Sequence, residues 1–164
     1  MLGIDFVVRP VDVTEDTEGE PAAVALANAR RKALAAAADP SELVLGVDTV
    51  VALGDRIWGK PADEAAARQT LRALSGVTHA VVSAIALVRD GEVRTAAETT
   101  RVTFRELDES AVARYVASGE WRDRAGGYAI QGRGGALVRR IEGDFLNVVG
   151  LPVGALLDLV PGLI

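Results

Sequence analysis

One apolar run limits the folds that are open to this chain. Residues 43–53, LVLGVDTVVAL, contain a single charged side chain, Asp48. A continuous valine-rich run of this kind is typical of a strand buried on both faces. A charged carboxylate there is costly unless a metal, a cation or hydrogen bonds compensate it. The run therefore predicts a central strand with Asp48 as a functional residue, and the alternative is a strand-end aspartate that caps a neighbouring turn.

Helical and extended patterns alternate around this strand. We predict strands at 4–11, 43–53, 78–88, 92–105 and 136–141, and helices at 21–38, 63–74, 108–118 and 152–159. Asp90-Gly91 predicts a hairpin between the strands 78–88 and 92–105, whereas 123–135 and 143–152 are predicted as loops. This order of elements predicts a single α/β domain over residues 1–164, with a mixed sheet flanked by helices.

Composition excludes several classes of protein. The 164 residues contain no cysteine, which rules out disulfide scaffolds, zinc-thiolate sites and thiol catalysis. The net charge of −5 without a basic block argues against binding of long nucleic acids. Neither a signal peptide nor an apolar stretch of about 20 residues is visible, so we expect a cytoplasmic protein without a membrane segment.

The two lysines are unusual because all the other basic residues are arginine. Lys32 and Lys60 are the only lysines among 18 basic residues. A compact ammonium fits sites that a planar guanidinium cannot, so both lysines are candidates for chemistry, although chance is the alternative. Lys60 lies in a Gly-Lys-Pro loop suited to a phosphate, and Lys32 lies on the predicted helix 21–38. The plain alternatives are a turn for Lys60 and a solvated helix face for Lys32.

A glycine-rich loop over residues 123–135 surrounds Gln131. Backbone without Cβ atoms can approach a ligand closely, although such loops are more often plain connectors. A glutamine amide offers one donor and one acceptor side by side, which complements the N3–H and O4 edge of thymine or uracil. Gln131 is therefore a candidate for selecting a pyrimidine. His79, the only histidine, has no Cys or carboxylate cluster beside it in the sequence, and we expect a structural role for it.

Many short motifs occur together in one order along the chain. They are Glu20, Lys32-Ala33, VDTVV at 47–51, GKP at 59–61, LSG at 74–76, VTFR at 102–105, Tyr115, GE at 119–120, AGGYAIQG at 125–132 and NVVGLP at 147–152. In this order and spacing the chain resembles the Maf family of nucleotide pyrophosphatases. The resemblance covers essentially the whole sequence, and both lysines fall on active-site positions of that family.

The resemblance implies a fold shared with inosine triphosphate pyrophosphatases and cleavage of a nucleoside triphosphate between its α and β phosphates. It also implies a divalent cation (Mg²⁺ or Mn²⁺), a cytoplasmic location and a homodimer. Asp48 then falls on the general base, which activates water or holds the metal, and Glu20 assists at the metal. Lys32 and Lys60 would neutralise charge on the phosphates. Family members are described as clearing noncanonical nucleotides or as linked to septum formation and arrest of cell division.

The branches of this family differ in the base they prefer, and two positions indicate which branch the chain resembles. Thr49 after the aspartate and Gln131 in the loop resemble the branch that acts on dTTP and UTP. The branch that acts on 7-methyl-GTP carries glutamine and glutamate at these two places. The resemblance therefore favours a pyrimidine substrate, in agreement with the hydrogen-bonding capacity of Gln131. A glutamate at that place would instead favour guanine, which is rich in donors.

The chain departs from the family pattern at its beginning. Family members open with a strand and a Ser-x-Ser-Pro-Arg-Arg loop that binds phosphate, and only the following segment, residues 2–6, has a counterpart here. The start at Met1 is thus expected to be misassigned or truncated, with an exposed sheet edge where that strand would lie. The alternative function is a nucleotide-binding or regulatory protein that has lost turnover. Arg124, where lysine is usual, and Gly127, where alanine is common, are smaller departures.

Overall fold

A computed structural model describes residues 3–163, and Met1, Leu2 and Ile164 of the predicted domain lie outside the described residues. Within that range five strands form one sheet. They are β1 (Val44–Leu53), β2 (Arg56–Trp58), β3 (Thr78–Arg89), β4 (Glu92–Phe104) and β5 (Val138–Glu142). The sheet order is β2-β1-β3-β4-β5, and each of these neighbours pairs antiparallel. The predicted hairpin is confirmed, since Arg89 pairs with Glu92 across the Asp90-Gly91 turn.

Helices cover both faces of this sheet, which confirms the predicted α/β class. They are α1 (Pro21–Ala36), α2 (Glu64–Leu74), α3 (Glu109–Ser118), α4 (Phe145–Val149) and α5 (Val153–Leu159), with 3₁₀ turns at Ala125–Gly127 and Arg133–Leu137. An alanine-rich face of α1 packs on one side of β1 and β3. On the other side, α2 and α3 enclose the larger core around Leu71, Phe104 and Val112. The central strands are therefore buried on both faces.

Helix α1 begins at Pro21 and lies close against β1. The Glu20 carboxylate caps its first turn, and proline suits the first helical position because that N–H needs no partner. Gly46 of β1 lies directly under the helix, so that a Cβ atom there would clash with the backbone of Ala29 and Ala33. The absence of a side chain at Gly46 therefore allows the close approach that brings the α1 side chains onto β1.

The prediction of a strand at residues 4–11 is wrong, because this segment belongs to no strand. Phe6, Val7 and Val8 are 81%, 86% and 74% exposed. Arg9 fixes the segment by donating to the Ala36 carbonyl and to the Glu42 carboxylate. A β-rich pattern becomes a strand only where a neighbour accepts its hydrogen bonds. Among residues 3–163 no strand pairs with residues 44–50 of β1 on the side away from β3.

Two predicted loops contain short helices. The 143–152 segment includes α4, where the Asp144 side chain accepts from the N–H of Leu146 and so starts the helix. A helix of five residues is too short to show a helical period in the sequence. The glycine-rich segment 123–135 contains the turn Ala125–Gly127 and the start of the second 3₁₀ turn. Both segments lie beside the site described next.

Candidate functional site

Asp48 lies near the middle of β1 and is held by two side chains of α1. The Lys32 Nζ donates to Asp48 Oδ1 at 2.6 Å, and the Asn28 Nδ2 donates to Asp48 Oδ2 at 3.1 Å. Asp48 is 7% exposed, and Asn28 is 1% exposed. Both carboxylate oxygens therefore have partners, which compensates the burial of the charge. The central strand is confirmed, and Asp48 and Lys32, which were predicted separately from the sequence, come together in one cluster.

Lys32 joins Asp48 to a second carboxylate, that of Glu15. The Lys32 Nζ lies 2.7 Å from Glu15 Oε1. Burial lowers the pKa of Lys32, but the hydrogen bonds to Asp48 and Glu15 outweigh it and raise that pKa above its ordinary value. The hydrogen bond from Lys32 holds the pKa of Glu15 below its usual range, and the charge of Lys60 acts in the same direction. The ammonium and the Glu15 carboxylate are therefore both charged at neutral pH.

A cavity of about 280 Å³ opens beside this cluster. Five of the six residues predicted from the sequence line it, namely Lys32, Asp48, Thr49, Lys60 and Gln131. The structure brings together residues that are spread over a hundred positions of the chain. The remaining wall comes from three valines of the sheet, from the loop that leads to Gln131 and from the end of α4, namely Val47, Val51, Val81, Asp123, Arg124, Ala125, Tyr128, Ala129, Val148, Val149 and Gly150.

The cavity reaches both faces of β1. Successive side chains of a strand point to opposite faces, and Asp48 accordingly meets Lys32 of α1. Thr49 instead lies against Ser83 of β3, with their hydroxyl oxygens 2.8 Å apart. The face of β1 that carries Asp48 therefore presents charged groups to the cavity, and the face that carries Thr49 presents a hydroxyl group, while the Gln131 amide also lines the cavity. This division suits a ligand with an anionic half and a polar, uncharged half.

Glu20, the sixth predicted residue, lies at the beginning of α1. Its two carboxylate oxygens accept from the N–H groups of Ala22 and Ala23, at 3.0 and 2.7 Å. These bonds hold the pKa of Glu20 below its usual range. Glu20 is exposed and is not among the residues that line the cavity. Its role at a metal stays a prediction.

The donor set beside the cavity fits a hard divalent cation. No group of three or more His, Cys, Asp or Glu side chains that could hold a metal occurs within residues 3–163. Mg²⁺ needs fewer protein ligands, since it is usually bound through one or two carboxylates together with substrate phosphates and water. Asp48 and Glu15, which share the Lys32 ammonium, supply two such carboxylates.

The charged cluster consists of Lys32, Asp48, Asn28 and Glu15. Asn28 and Glu15 were not predicted from the sequence. Asn28 lies four residues before Lys32 on α1, and this spacing places both side chains on one helix face. An analysis of helix faces would have found it. Glu15 lies outside any helix or strand, so no periodic signal marks it. Its assignment depends on its contact with Lys32.

The glycine-rich loop is fixed at several points before it reaches Gln131. The N–H of Gly126 donates to the Gly59 carbonyl at 3.1 Å, which ties the loop to the Gly-Lys-Pro segment. The N–H of Ala129 donates to the Tyr115 hydroxyl at 3.0 Å. Gly126 has a φ of 66° and packs on Val51, so a side chain there would be strained and would also clash. The loop is therefore a fixed wall of the cavity.

The chain is similar to known proteins over almost its whole length. Residues 1–163 match the family described as Maf-like protein. A dTTP/UTP pyrophosphatase of Pyrococcus furiosus is 42% identical over 159 residues, which are 95% of this chain and 84% of that protein. Proteins of the same name from Exiguobacterium sibiricum and Deinococcus radiodurans are 46% and 44% identical, over 93% and 98% of this chain and 78% and 84% of their own lengths. No helix within residues 3–163 is long and apolar enough to cross a membrane.

Proposed function

Because this chain belongs to the Maf-like protein family, we propose that it hydrolyses dTTP and UTP to the nucleoside monophosphate and pyrophosphate. The observation that carries the proposal is the cavity at the two faces of β1. A charged cluster around Asp48 lies on one face of β1 and Thr49 lies on the other, and Gln131 also lines the cavity. A triphosphate and a pyrimidine nucleoside are the two halves of such a substrate.

The charged part of the cavity supplies the chemistry of phosphoanhydride hydrolysis. Lys32 and the exposed Lys60 provide positive charge for the triphosphate and for the charge that develops on the leaving pyrophosphate. Asp48 accepts a proton from the attacking water or holds the metal, and the bonds from Lys32 and Asn28 fix its orientation. Water attacks the α phosphorus, the bond to the bridging oxygen breaks, and pyrophosphate leaves.

Mg²⁺ or Mn²⁺ belongs to the proposed reaction. Asp48 and Glu15 are the carboxylates that would hold it, with Glu20 retained as the ligand predicted from the sequence. When bound, the cation neutralises phosphate charge and lowers the pKa of bound water. Lys32 already contacts both Asp48 and Glu15, so it keeps the two carboxylates together without a cation.

The uncharged part of the cavity selects the base. The Gln131 amide can accept from N3–H and donate to O4 of uracil or thymine, whereas cytosine presents the opposite pattern at these positions. Thr49 lies on the face of β1 opposite to Asp48, next to Gly150. Selection of dTTP and UTP therefore rests on Thr49 and Gln131 together.

The wider setting of the protein is part of the same proposal. A homodimer in the cytoplasm that acts on free nucleotides, without nucleic acid polymers or membranes as partners, follows from the family resemblance. The net charge of −5 also disfavours polymeric phosphates. Clearance of modified nucleotides and a link to septum formation are the cellular roles that the family suggests.

The decisive experiment is pyrophosphate release from dTTP, UTP and 7-methyl-GTP with Mg²⁺ or Mn²⁺. We expect dTTP and UTP to be hydrolysed and 7-methyl-GTP to be a poor substrate. Asp48→Asn should abolish turnover, whereas Asp55→Asn, at an exposed turn after β1, should retain it. A folded chain that binds dTTP but hydrolyses no triphosphate would refute the enzymatic function and favour a nucleotide-binding or regulatory protein.

A further inference from the structure

Thr49 is the end of a buried chain of hydrogen bonds that the proposed reaction does not use. Its hydroxyl contacts the Ser83 hydroxyl at 2.8 Å. The Ser83 hydroxyl in turn lies 2.8 Å from the backbone carbonyl oxygen of Asn147, next to the end of α4. Ser83 and Asn147 are both 0% exposed. Solvent therefore does not reach Ser83 or Asn147, and the direction of each of their hydrogen bonds can be worked out from the partners.

The side chain of Asn147 has only one orientation that satisfies its neighbours. Its Oδ1 accepts from the backbone N–H of Ser83 at 3.1 Å. Its Nδ2 donates to the backbone carbonyl of Val81 at 3.0 Å and to the Thr100 hydroxyl at 2.9 Å. A flipped amide would place donor against donor at Ser83 and acceptor against acceptor at Val81. The segment at Asn147 is therefore fixed on β3.

The directions of the two hydrogen bonds made by the Ser83 hydroxyl follow from what each partner can donate. A carbonyl oxygen only accepts, so the proton between Ser83 Oγ and the Asn147 carbonyl belongs to Ser83. A hydroxyl has one proton, and the Ser83 proton is thereby used. The bond between Ser83 and Thr49 must then use the proton of Thr49. Thr49 donates to Ser83, and its only proton points away from the cavity.

Thr49 can therefore offer only lone pairs to a ligand. Gly150 leaves that oxygen accessible, because a Cβ atom at Gly150 would come within 3.6 Å of Thr49 Oγ1. The φ of Gly150 is 120°, which also disfavours a side chain there. Thr49 Oγ1 is thus an open acceptor in the wall of the cavity that Gln131 also lines.

We infer that Ser83 is a specificity-determining positioning residue, which fixes Thr49 as an acceptor and so makes the site require a hydrogen-bond donor on the nucleoside. This inference rests on the proposed function, since it takes the ligand to be a pyrimidine nucleotide. Two donors are common to dTTP and UTP, the N3–H of the base, for which Thr49 would share the acceptor role with Gln131, and the 3′-hydroxyl of the sugar. CTP lacks the first donor, and 3′-deoxy-UTP lacks the second.

Binding of non-hydrolysable analogues tests the inference without relying on turnover. The affinities of the α,β-methylene triphosphates of uridine, cytidine and 3′-deoxyuridine are measured by calorimetry for the native protein, Thr49→Val and Thr49→Ser. We expect one of the two altered nucleosides to bind about tenfold more weakly than uridine because of Thr49. This roughly tenfold preference for uridine over the affected nucleoside should be lost in Thr49→Val and kept in Thr49→Ser. The nucleoside affected identifies the donor.

Ser83→Ala tests whether the preference depends on the direction in which the Thr49 hydroxyl is held, and not only on the presence of that hydroxyl. The backbone N–H of Ser83 still donates to Asn147, and the Asn147 carbonyl keeps the N–H of Gly150 as a donor. The fold should therefore survive, which a thermal unfolding curve verifies. The Thr49 hydroxyl is then free to turn and donate, so we expect the same preference to fall severalfold although Thr49 is intact.

The outcomes distinguish this inference from the proposed function. The role of Ser83 would be overturned if the native protein, Thr49→Val and Ser83→Ala all preferred the uridine analogue to the same extent. This holds even if dTTP and UTP are hydrolysed. A preference that depends on Thr49 but not on Ser83 would also overturn it. The expected pattern without pyrophosphate release would support it and refute the enzymatic function. Failure of all three analogues to bind would overturn both.

Discussion

Lys32 of α1 and Asp48 of β1 form an ion pair, with 2.6 Å between Nζ and Oδ1. Their side chains are 22% and 8% exposed, so the pair is largely shielded from water. Removal of one partner from such a pair leaves the other charge uncompensated. The same pair belongs to the proposed phosphate site. Stability and activity therefore depend on the same two residues.

Lys32→Met should lower both quantities. Asp48 would keep only Asn28 as a partner, and we expect a loss of about 1–3 kcal/mol in the free energy of unfolding. Pyrophosphate release from UTP should fall about 100-fold or more, because a charge beside the leaving group is lost. Urea unfolding and a kinetic assay measure the two effects. Arg30→Met, an exposed neighbour on α1, is the control and should change both little. An unchanged rate would contradict the role given to Lys32.

Glu15 and Glu20 should respond differently to amide substitution. Glu15→Gln keeps the shape but removes a carboxylate from Lys32, so we expect a higher Mg²⁺ or Mn²⁺ concentration for half-maximal activity. Glu20→Gln weakens the cap of α1 and should lower the thermal unfolding midpoint instead. Metal titrations of both variants decide whether Glu15 or Glu20 is the ligand of the cation. A metal requirement raised only in Glu20→Gln would support the ligand predicted from the sequence over Glu15.

His79 should make stability depend on pH. Its ring is buried in the core, its Nε2 lies 2.9 Å from the Tyr128 hydroxyl, and burial lowers its pKa from 6.5 to about 4. Below pH 6.5 the unfolded chain therefore binds a proton that the folded protein does not, and stability falls as the pH falls toward 4. The loss at pH 4 is about 3 kcal/mol. This agrees with the structural role expected from the sequence.

The comparison that isolates His79 is with His79→Phe. Both proteins share the titration of their carboxylates, so the difference between their unfolding free energies removes that contribution. We expect His79→Phe to be less stable at pH 8, where the bond to Tyr128 is lost, and to lose less stability between pH 6.5 and 4. Parallel curves over this interval would show that His79 is not buried in its neutral form.

Gly46→Ala should separate α1 from β1. The added Cβ would clash with the backbone of Ala29 and Ala33. Overpacking of this kind costs about 1–3 kcal/mol, and more when backbone must move. Activity should fall as well, because Lys32 and Asn28 reach Asp48 from α1. Gly154→Ala in α5 has open space and is the control. A fully active and stable Gly46→Ala protein would contradict the close packing.

The sequence predicted those features that a single segment contains. The apolar run around Asp48 identified the central strand, and the arginine-rich composition singled out Lys32 and Lys60. The prediction of a strand at residues 4–11 failed because a strand also needs a neighbouring strand to pair with, which the pattern of one segment does not reveal. The hydrogen bonds of Thr49 could not be predicted either, since Ser83 and Asn147 come from distant parts of the chain. Local periodicity finds elements and faces, whereas contacts between distant residues require the folded chain.

Identification of the products shows which phosphoanhydride bond of the substrate is cleaved. UTP is incubated with the native protein and with Asp48→Asn, and UMP, UDP, pyrophosphate and orthophosphate are quantified. We expect UMP and pyrophosphate in equal amounts from the native protein and neither from Asp48→Asn. Release of UDP and orthophosphate, or undiminished UMP formation by Asp48→Asn, would contradict cleavage between the α and β phosphates at this site.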